Sequence, residues 1–460
     1  MSTLARQIAQ RINALRYEDI PSAALDWTAS AFIDTVGVTL AGIKEDGPRI
    51  LLTVPGVAAA PGPALILGTN CRTSVTDAAL VNGVAAHALD YDDVAGSMGG
   101  HPSAMLVPAL LPLAEMLGSS GRELVTAYVA GFETACRIAR GVHHHHYDKG
   151  WHPTATLGIF GTVAGAARLL GLSDEHTAIA LGMATSFAAG LKANFGTMTK
   201  PLHVGHGIRD GVFAALMAKQ GFTANPGAFE HKQGFLDVFN GTGTYDTARI
   251  LDEWYDPFEC GGAGDPGLKP YPCCGSTHPS ISRMIDLAQR HDLRPDRVAH
   301  ITVMPHARRL PHTDNPDPRS SLAAKFSMQY CVARALTDRS VKLSHFEGDA
   351  PFDPAVRALM QRLDAYPHPD MAVDWGTEVI VETTDGARLA SRLDDYPSRG
   401  PAGEPMTHAE LWTKFADCAE RSLSRARLSA VFDALTGVAS LANVHDLTSL
   451  LLPGQDARAA

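Results

Sequence analysis

Ionisable side chains gather in a few short runs of this 460-residue chain. The first is His87-Ala88-Leu89-Asp90-Tyr91-Asp92-Asp93, followed by Gly99-Gly100-His101-Pro102-Ser103. Three acids in four positions close an apolar stretch and lead into a glycine-rich turn with a histidine, which suits a pocket wall better than a core. Such a cluster can also hold Mg²⁺ for a diphosphate substrate, but the second metal motif of that kind of site is missing from the sequence. The plainer alternative is that Asp90, Asp92 and Asp93 cap neighbouring helices or pair with arginines.

The second run is His143-His144-His145-His146-Tyr147, leading to Gly150-Trp151-His152-Pro153-Thr154. Adjacent histidines in a loop cannot all face one ion, and no complementary carboxylate or thiolate set stands beside them, so no metal site is expected. His152 differs in kind. It precedes a proline at a helix entrance, where side chain and helix N-terminus can meet one anion; a packed aromatic loop anchored by Trp151 is the competing reading. Lys200 lies between Gly196 and Pro201, just before a helix predicted from about Gly205 to Gly221, and is either a carboxylate clamp or a core ion-pair partner. Lys269 opens Lys269-Pro270-Tyr271-Pro272-Cys273-Cys274-Gly275-Ser276-Thr277-His278, where two prolines stiffen the backbone and Ser276 or Thr277 can cap the next helix. Cys273 and Cys274 read as buried thiols, because vicinal disulfides are strained and no base can be assigned to a cysteine nucleophile. Tyr330, in Lys325-Phe326-Ser327-Met328-Gln329-Tyr330, is a core aromatic or a catalytic phenol.

These residues share a chemical type. Lysines hold a carboxylate and offset charge building on it, while histidine, lysine or tyrosine shuttles a proton from the adjacent carbon. No GxGxxG follows a strand, and neither GxxxxGK[ST] nor GxSxG occurs, so the expected cofactor list is empty.

The elements that must position these groups are mainly helical. From about Pro21 to Gly221 the chain reads as successive Ala- and Gly-rich helices, among them Val75 to Leu89, Gly121 to Gly141, and one capped by Ser173 running to about Ala189. Met1 to Glu18 has helical apolar spacing without the continuous apolar core of a signal peptide, and reads as a surface helix. After Gly261 the pattern changes. Val298 to Met304 and a hairpin of Glu378 to Glu382 with Arg388 to Leu393 read as strands, with Leu322 to Leu336 and Pro354 to Leu363 helical between them. Helical patterning returns from Met406. The predicted architecture is mainly α: a helical domain over 1–264 and 403–460, with an inserted α+β lid over 265–402.

With 45% hydrophobic and 19% charged residues the chain can bury a large core. A formal net charge of -10, with no long basic run, argues against nucleic acid as a partner. No apolar run is long enough to span a bilayer. Seven cysteines, without CxxC spacing, fit a reducing cytoplasmic setting.

Five motifs in order, His-Ala-Leu-Asp-Tyr-Asp-Asp, Gly-His-Pro-Ser, Gly-Trp-His-Pro-Thr, Met-Thr-Lys-Pro-Leu-His and Lys-Pro-Tyr-Pro-Cys-Cys, make the chain resemble the MmgE/PrpD family over nearly its whole length. That resemblance implies a helical domain with a smaller α+β lid, usually as a homodimer, and cofactor-free action on a small di- or tricarboxylate. It implies a pocket of Asp90, His101, His152, Lys200 and His203 from the helical domain with Lys269 and Tyr330 from the lid. Within the family the expectation is a dehydratase-type lyase acting on a 2-methylcitrate-like substrate. Lys200 and Lys269 would bind carboxylates, His101 or His152 would take the proton, and Tyr330 or Tyr147 would assist the leaving hydroxyl. The alternatives are an iminodisuccinate-like epimerase, suggested by Tyr147 before the Trp-His-Pro motif, a cis-aconitate-type decarboxylase, and an inactive polycarboxylate-binding scaffold. Val94 stands where the decarboxylase branch has a threonine.

Overall fold

Residues 2–142 and 144–453 are described by the computed structural model. The expectations for Met1 and His143 lie outside them. The chain is mainly α, and its contacts divide it into two units. One consists of Met1–Ala88, Asp92–Leu268 and Ser398–Ala460, the other of Leu89–Tyr91 and Lys269–Pro397.

In the helical unit, small residues let backbones approach. A Cβ on Gly83 would sit 3.0 Å from the Gly205 Cα, so the helices Val75–Ala88 and Thr199–Lys219 cross almost backbone to backbone there. The pair brings His87, at the end of the first helix, into the same neighbourhood as Lys200 and His203, at the start of the second. Pro102–Leu117, Gly121–Val142 and Gly158–Leu170 pack into the same apolar core. Leu4–Ala14 is amphipathic, with Leu4, Ile8 and Ile12 buried. Ser173 caps Asp174–Phe187 by accepting from His176 N at 3.2 Å.

Two expectations for this unit are corrected. The stretch from Pro21 to Gly221 is not helical throughout, since Pro61–Leu65 pairs antiparallel with Arg72–Thr73, and Val94–Ala95 with Pro266–Gly267. The helix expected from about Gly205 begins at Thr199. Pro201 falls in its first turn, where a missing N–H costs nothing, so Lys200 and Pro201, expected just before the helix, are inside it.

The α+β unit holds a four-stranded sheet in the order Leu363–Ala365, Val298–Pro305, Thr377–Thr383, Arg388–Leu393. The first pair is parallel, with Ile301 opposite Leu363, and the rest antiparallel. Helices His278–Arg290 and Met328–Asp338 join its buried side chains in a second core. The single helix expected over Leu322 to Leu336 is two, because Ser327 Oγ accepts from Tyr330 N at 3.0 Å and starts a new helix. Pro354–Met360 ends before Leu363, which is taken into the sheet. Neither Ser276 nor Thr277 caps the helix at His278: Ser276 Oγ bonds His312 Nε2 at 2.9 Å, and Thr277 Oγ1 turns back to Cys274 O at 2.8 Å. Cys273 and Cys274 are buried.

Candidate active site

Asp93 sets the frame. Its carboxylate accepts from Ser103 N (3.1 Å) and Ser103 Oγ (2.6 Å), satisfying an orphan donor at the start of the helix Pro102–Leu117 and holding His101 at its N-cap. Ser103 Oγ continues to Tyr128 OH at 2.7 Å. Burial pushes the Asp93 carboxyl well above its ordinary range. The capping alternative therefore describes Asp93.

Asp92 does something else. Burial alone would raise its carboxyl, but His87 and His101 outweigh that and hold it well below the usual range. An ionised carboxylate only accepts, so His87 donates Nδ1–H to Asp92 Oδ2 at 2.7 Å. His101 Nδ1 lies 3.3 Å from the same oxygen, at ion-pair distance but off the line of a good hydrogen bond. With Nδ1 facing the carboxylate, Nε2 of His101 is left as the proton acceptor. His101 N–H donates to Thr154 Oγ1 at 3.2 Å, tying the turn to the entrance of the next motif.

That entrance carries His152, whose N–H donates to Gly190 O at 3.0 Å. His152 stacks on His87 (centroids 5.7 Å apart), meets Phe195 edge-on at 4.9 Å, and places Nδ1 3.2 Å from His203 Nδ1. His87 also packs edge to face with His101 at 4.7 Å. Lys200 is 7% exposed, with Nζ 5.3 Å from the centre of the Phe195 ring. Burial comes first in depressing these imidazoles, with the Lys200 charge adding to it. His87 falls to about 4 despite Asp92, His152 well below its usual value, and His203 in the same direction. At neutral pH His87, His152 and His203 are uncharged rings beside a cation.

The helical unit thus brings together His101, His152, Lys200 and His203, and adds His87 and Asp92 as a buried dyad that sequence reasoning placed in the motif without giving it a role. The signal was present as a histidine five positions before an aspartate at a helix end. Tyr147 is half-buried, with Lys192 Nζ 3.2 Å from its ring centre and donating to its carbonyl at 2.8 Å. Of the neighbouring histidines, His144 and His145 are exposed, whereas His146 is buried, bonds Thr156 Oγ1 at 2.8 Å, stacks on Trp151 and Phe239, and is pushed by burial to about 4.

Asp90, Lys269 and Tyr330 belong to the α+β unit. Lys269 Nζ lies 3.1 Å from Asp90 Oδ1 and donates to Asp90 O at 2.8 Å, so these two residues meet in one buried ion pair. The Tyr330 hydroxyl donates to His345 O and accepts from Arg334 Nε at 3.0 Å inside the second core. Burial raises it to about 12.

His87, Asp92 and His101 have donor atoms within 4.8 Å of one another, the one set among the described residues near enough to hold a metal ion. The Lys200 charge that bears on His87 opposes a cation there. A cavity of about 250 Å³ lined by Trp27, Arg399 and Met406 contains none of the imidazoles.

A carboxylate-backed histidine, a second neutral imidazole and a buried lysine can together take a proton, give one, and fix an anion. That is the equipment that proton transfer at a carbon next to a carboxylate requires. Residues 6–248 match the MmgE/PrpD N-terminal domain and residues 271–436 the MmgE/PrpD C-terminal domain, and the chain belongs to the MmgE/PrpD family. It is 26% identical to the human cis-aconitate decarboxylase over 98% of this chain and 95% of that protein. The mouse cis-aconitate decarboxylase is 25% identical (98% and 94%), and that of Aspergillus terreus 24% (98% and 96%). Among the described residues no helix is long and apolar enough to cross a membrane.

Proposed function

We propose that this member of the family is a dehydratase-type lyase acting on a small di- or tricarboxylate with its own side chains alone. The observation that carries the reading is the pair of differently supported imidazoles, His101 backed by Asp92 and His152 bonded to His203, beside Lys200. Lys200 binds the carboxylate next to the reacting carbon. His101 Nε2 takes the proton from that carbon, and the electron pair spreads into the carboxylate, where the Lys200 charge offsets it. The C–O bond at the neighbouring carbon then breaks, the C=C bond forms, and His152 supplies the proton with which the hydroxyl leaves as water. His152 takes this part in preference to Tyr330, whose hydroxyl already donates to His345 O.

A second reading, decarboxylation, is favoured by the activity named for the relatives. It needs one acid and no base at carbon, so it leaves the Asp92–His101 dyad without a task. Epimerisation would use both imidazoles on a single carbon. Proton NMR in D₂O with citrate, 2-methylcitrate, aconitate isomers and amino-dicarboxylate adducts separates the three. An alkene product with loss of water is expected. Loss of CO₂ without water, or deuterium at the α carbon without net elimination, would replace this reading. Lys200→Ala is expected to lower kcat/KM by at least ~10²-fold, and an unaffected variant would remove lysine anchoring from the mechanism.

A further inference from the structure

His203 was expected, from the family resemblance, to touch substrate, but its nearest polar partner is another imidazole. Its Nδ1 is 3.2 Å from His152 Nδ1. Two ring nitrogens at that distance share one proton, so one must carry it and the other accept. Gly190 fixes both partners. Its carbonyl accepts the His152 backbone N–H at 3.0 Å, and a Cβ on it would lie 3.3 Å from His203 Cγ and Nδ1. Its φ of +136° keeps the site for glycine. The other nitrogen of His152, Nε2, is buried and has no hydrogen-bond partner among the described residues. Burial, with His87, Lys200, His101 and His203 around it, keeps His152 from carrying two protons. A neutral ring has one, and its position decides whether Nε2 is an acid or a base.

We propose that His203 is a positioning residue that donates Nδ1–H to His152 Nδ1, and so keeps His152 in the Nε2–H form able to act as an acid. The proposal rests on the proton-transfer reading above. When His152 Nε2 gives up its proton, its Nδ1 takes the one on His203 Nδ1, and His203 Nε2 takes one from water. His203 is half-buried, within reach of solvent. His152 returns to a neutral ring without passing through an anion, and the starting tautomers are restored when its Nε2 takes up the proton released from His101, its Nδ1–H goes back to His203 Nδ1, and His203 Nε2 gives its proton back to water.

The test uses the full chain labelled with ¹⁵N-histidine, with the His152 signals identified as those lost in His152→Asn. In the unsubstituted protein His152 is expected to show a protonated Nε2 and an unprotonated Nδ1. His203→Phe keeps a ring in place and removes the donor; it is expected to move His152 toward the Nδ1–H form and to lower kcat about 10²-fold with KM within about 2-fold. His203→Asn puts an amide donor near the same point. It is expected to restore the His152 tautomer but not proton passage, and so to recover only part of kcat; it also serves if the phenylalanine variant fails to fold. An unchanged His152 tautomer in His203→Phe, or a raised KM at constant kcat, would overturn the proposal. If the unsubstituted protein turns over no substrate of the carboxylate panel, the functional reading fails, while the tautomer measurement still decides the role of His203.

Discussion

Three acids within four positions have three unrelated tasks, and the backbone between them decides which. Asp90 adopts φ of +52°, and this turn sends its side chain to Lys269 while Asp92 meets the imidazoles and Asp93 caps a helix. Their spacing in sequence showed a polar wall but could not apportion the tasks, because a left-handed aspartate leaves no composition signal. His101, His152 and Lys200 were legible through their proline and glycine neighbours. The role of His203 was not, since it depends on one interatomic distance across 51 residues of chain. Asp92 is where a small change should matter most. Asp92→Asn replaces an oxygen that only accepts by an amide that can also donate, so the Nδ1–H orientation of His87 and His101 is no longer enforced. The expected outcome is a loss in kcat of ~10²-fold or more with the fold intact by circular dichroism. Activity within about 3-fold of the unsubstituted protein would show that His101 needs no carboxylate behind it.

Elements were legible where an apolar run is long and nearly continuous, as for Val75–Ala88, or long and helically periodic, as for Gly121–Val142. They were misread where one side chain bears on the backbone: Pro201 sits in the first turn of a helix expected to start only near Gly205, and Ser327 restarts a helix that periodicity alone would continue. The loop before His152 shows the same influence in its packing. Trp151 Nε1 donates to Phe239 O at 2.8 Å, the two rings stack with centroids 4.5 Å apart, and the His146 ring lies beside them as an uncharged plate. His146 titrates at about 4 when folded against 6.5 unfolded, so between those values the unfolded chain binds more protons and stability falls as the pH drops. The gap corresponds to ~3 kcal/mol at most. His146→Phe keeps the stacking, and Thr156 Oγ1 retains its bond to His152 O at 3.0 Å. Its melting temperature is expected to fall less than that of the unsubstituted protein between pH 6.5 and 4.5. Parallel curves for the two would mean that this imidazole is not a source of acid sensitivity.

Across the whole molecule, two apolar cores are joined by a chain that leaves the helical unit for three residues, Leu89–Tyr91, long before the main crossing at Lys269. Lysines hold this short excursion by its carbonyls. Lys325 Nζ donates to Leu89 O at 2.8 Å, Lys269 Nζ to Asp90 O at 2.8 Å, and Tyr91 OH to Pro270 O at 3.4 Å. The composition changes after Gly261, ahead of that crossing, but nothing in residues 89–91 announces membership of the other unit, because it is written in lysines 179 and 236 residues away. Two roles for Lys269 then make different predictions. As a structural clamp, Lys269→Met takes the cation away from the buried Asp90 carboxylate, which costs ~3–5 kcal/mol. Adding Asp90→Asn removes the stranded charge and should recover more than half of that loss, giving a coupling energy of at least ~2 kcal/mol in a double-mutant cycle read by urea unfolding. As a substrate contact, Lys269→Met would raise KM and barely move the unfolding midpoint. The doubly bonded Nζ favours the clamp, and additive effects of the two substitutions would overturn it.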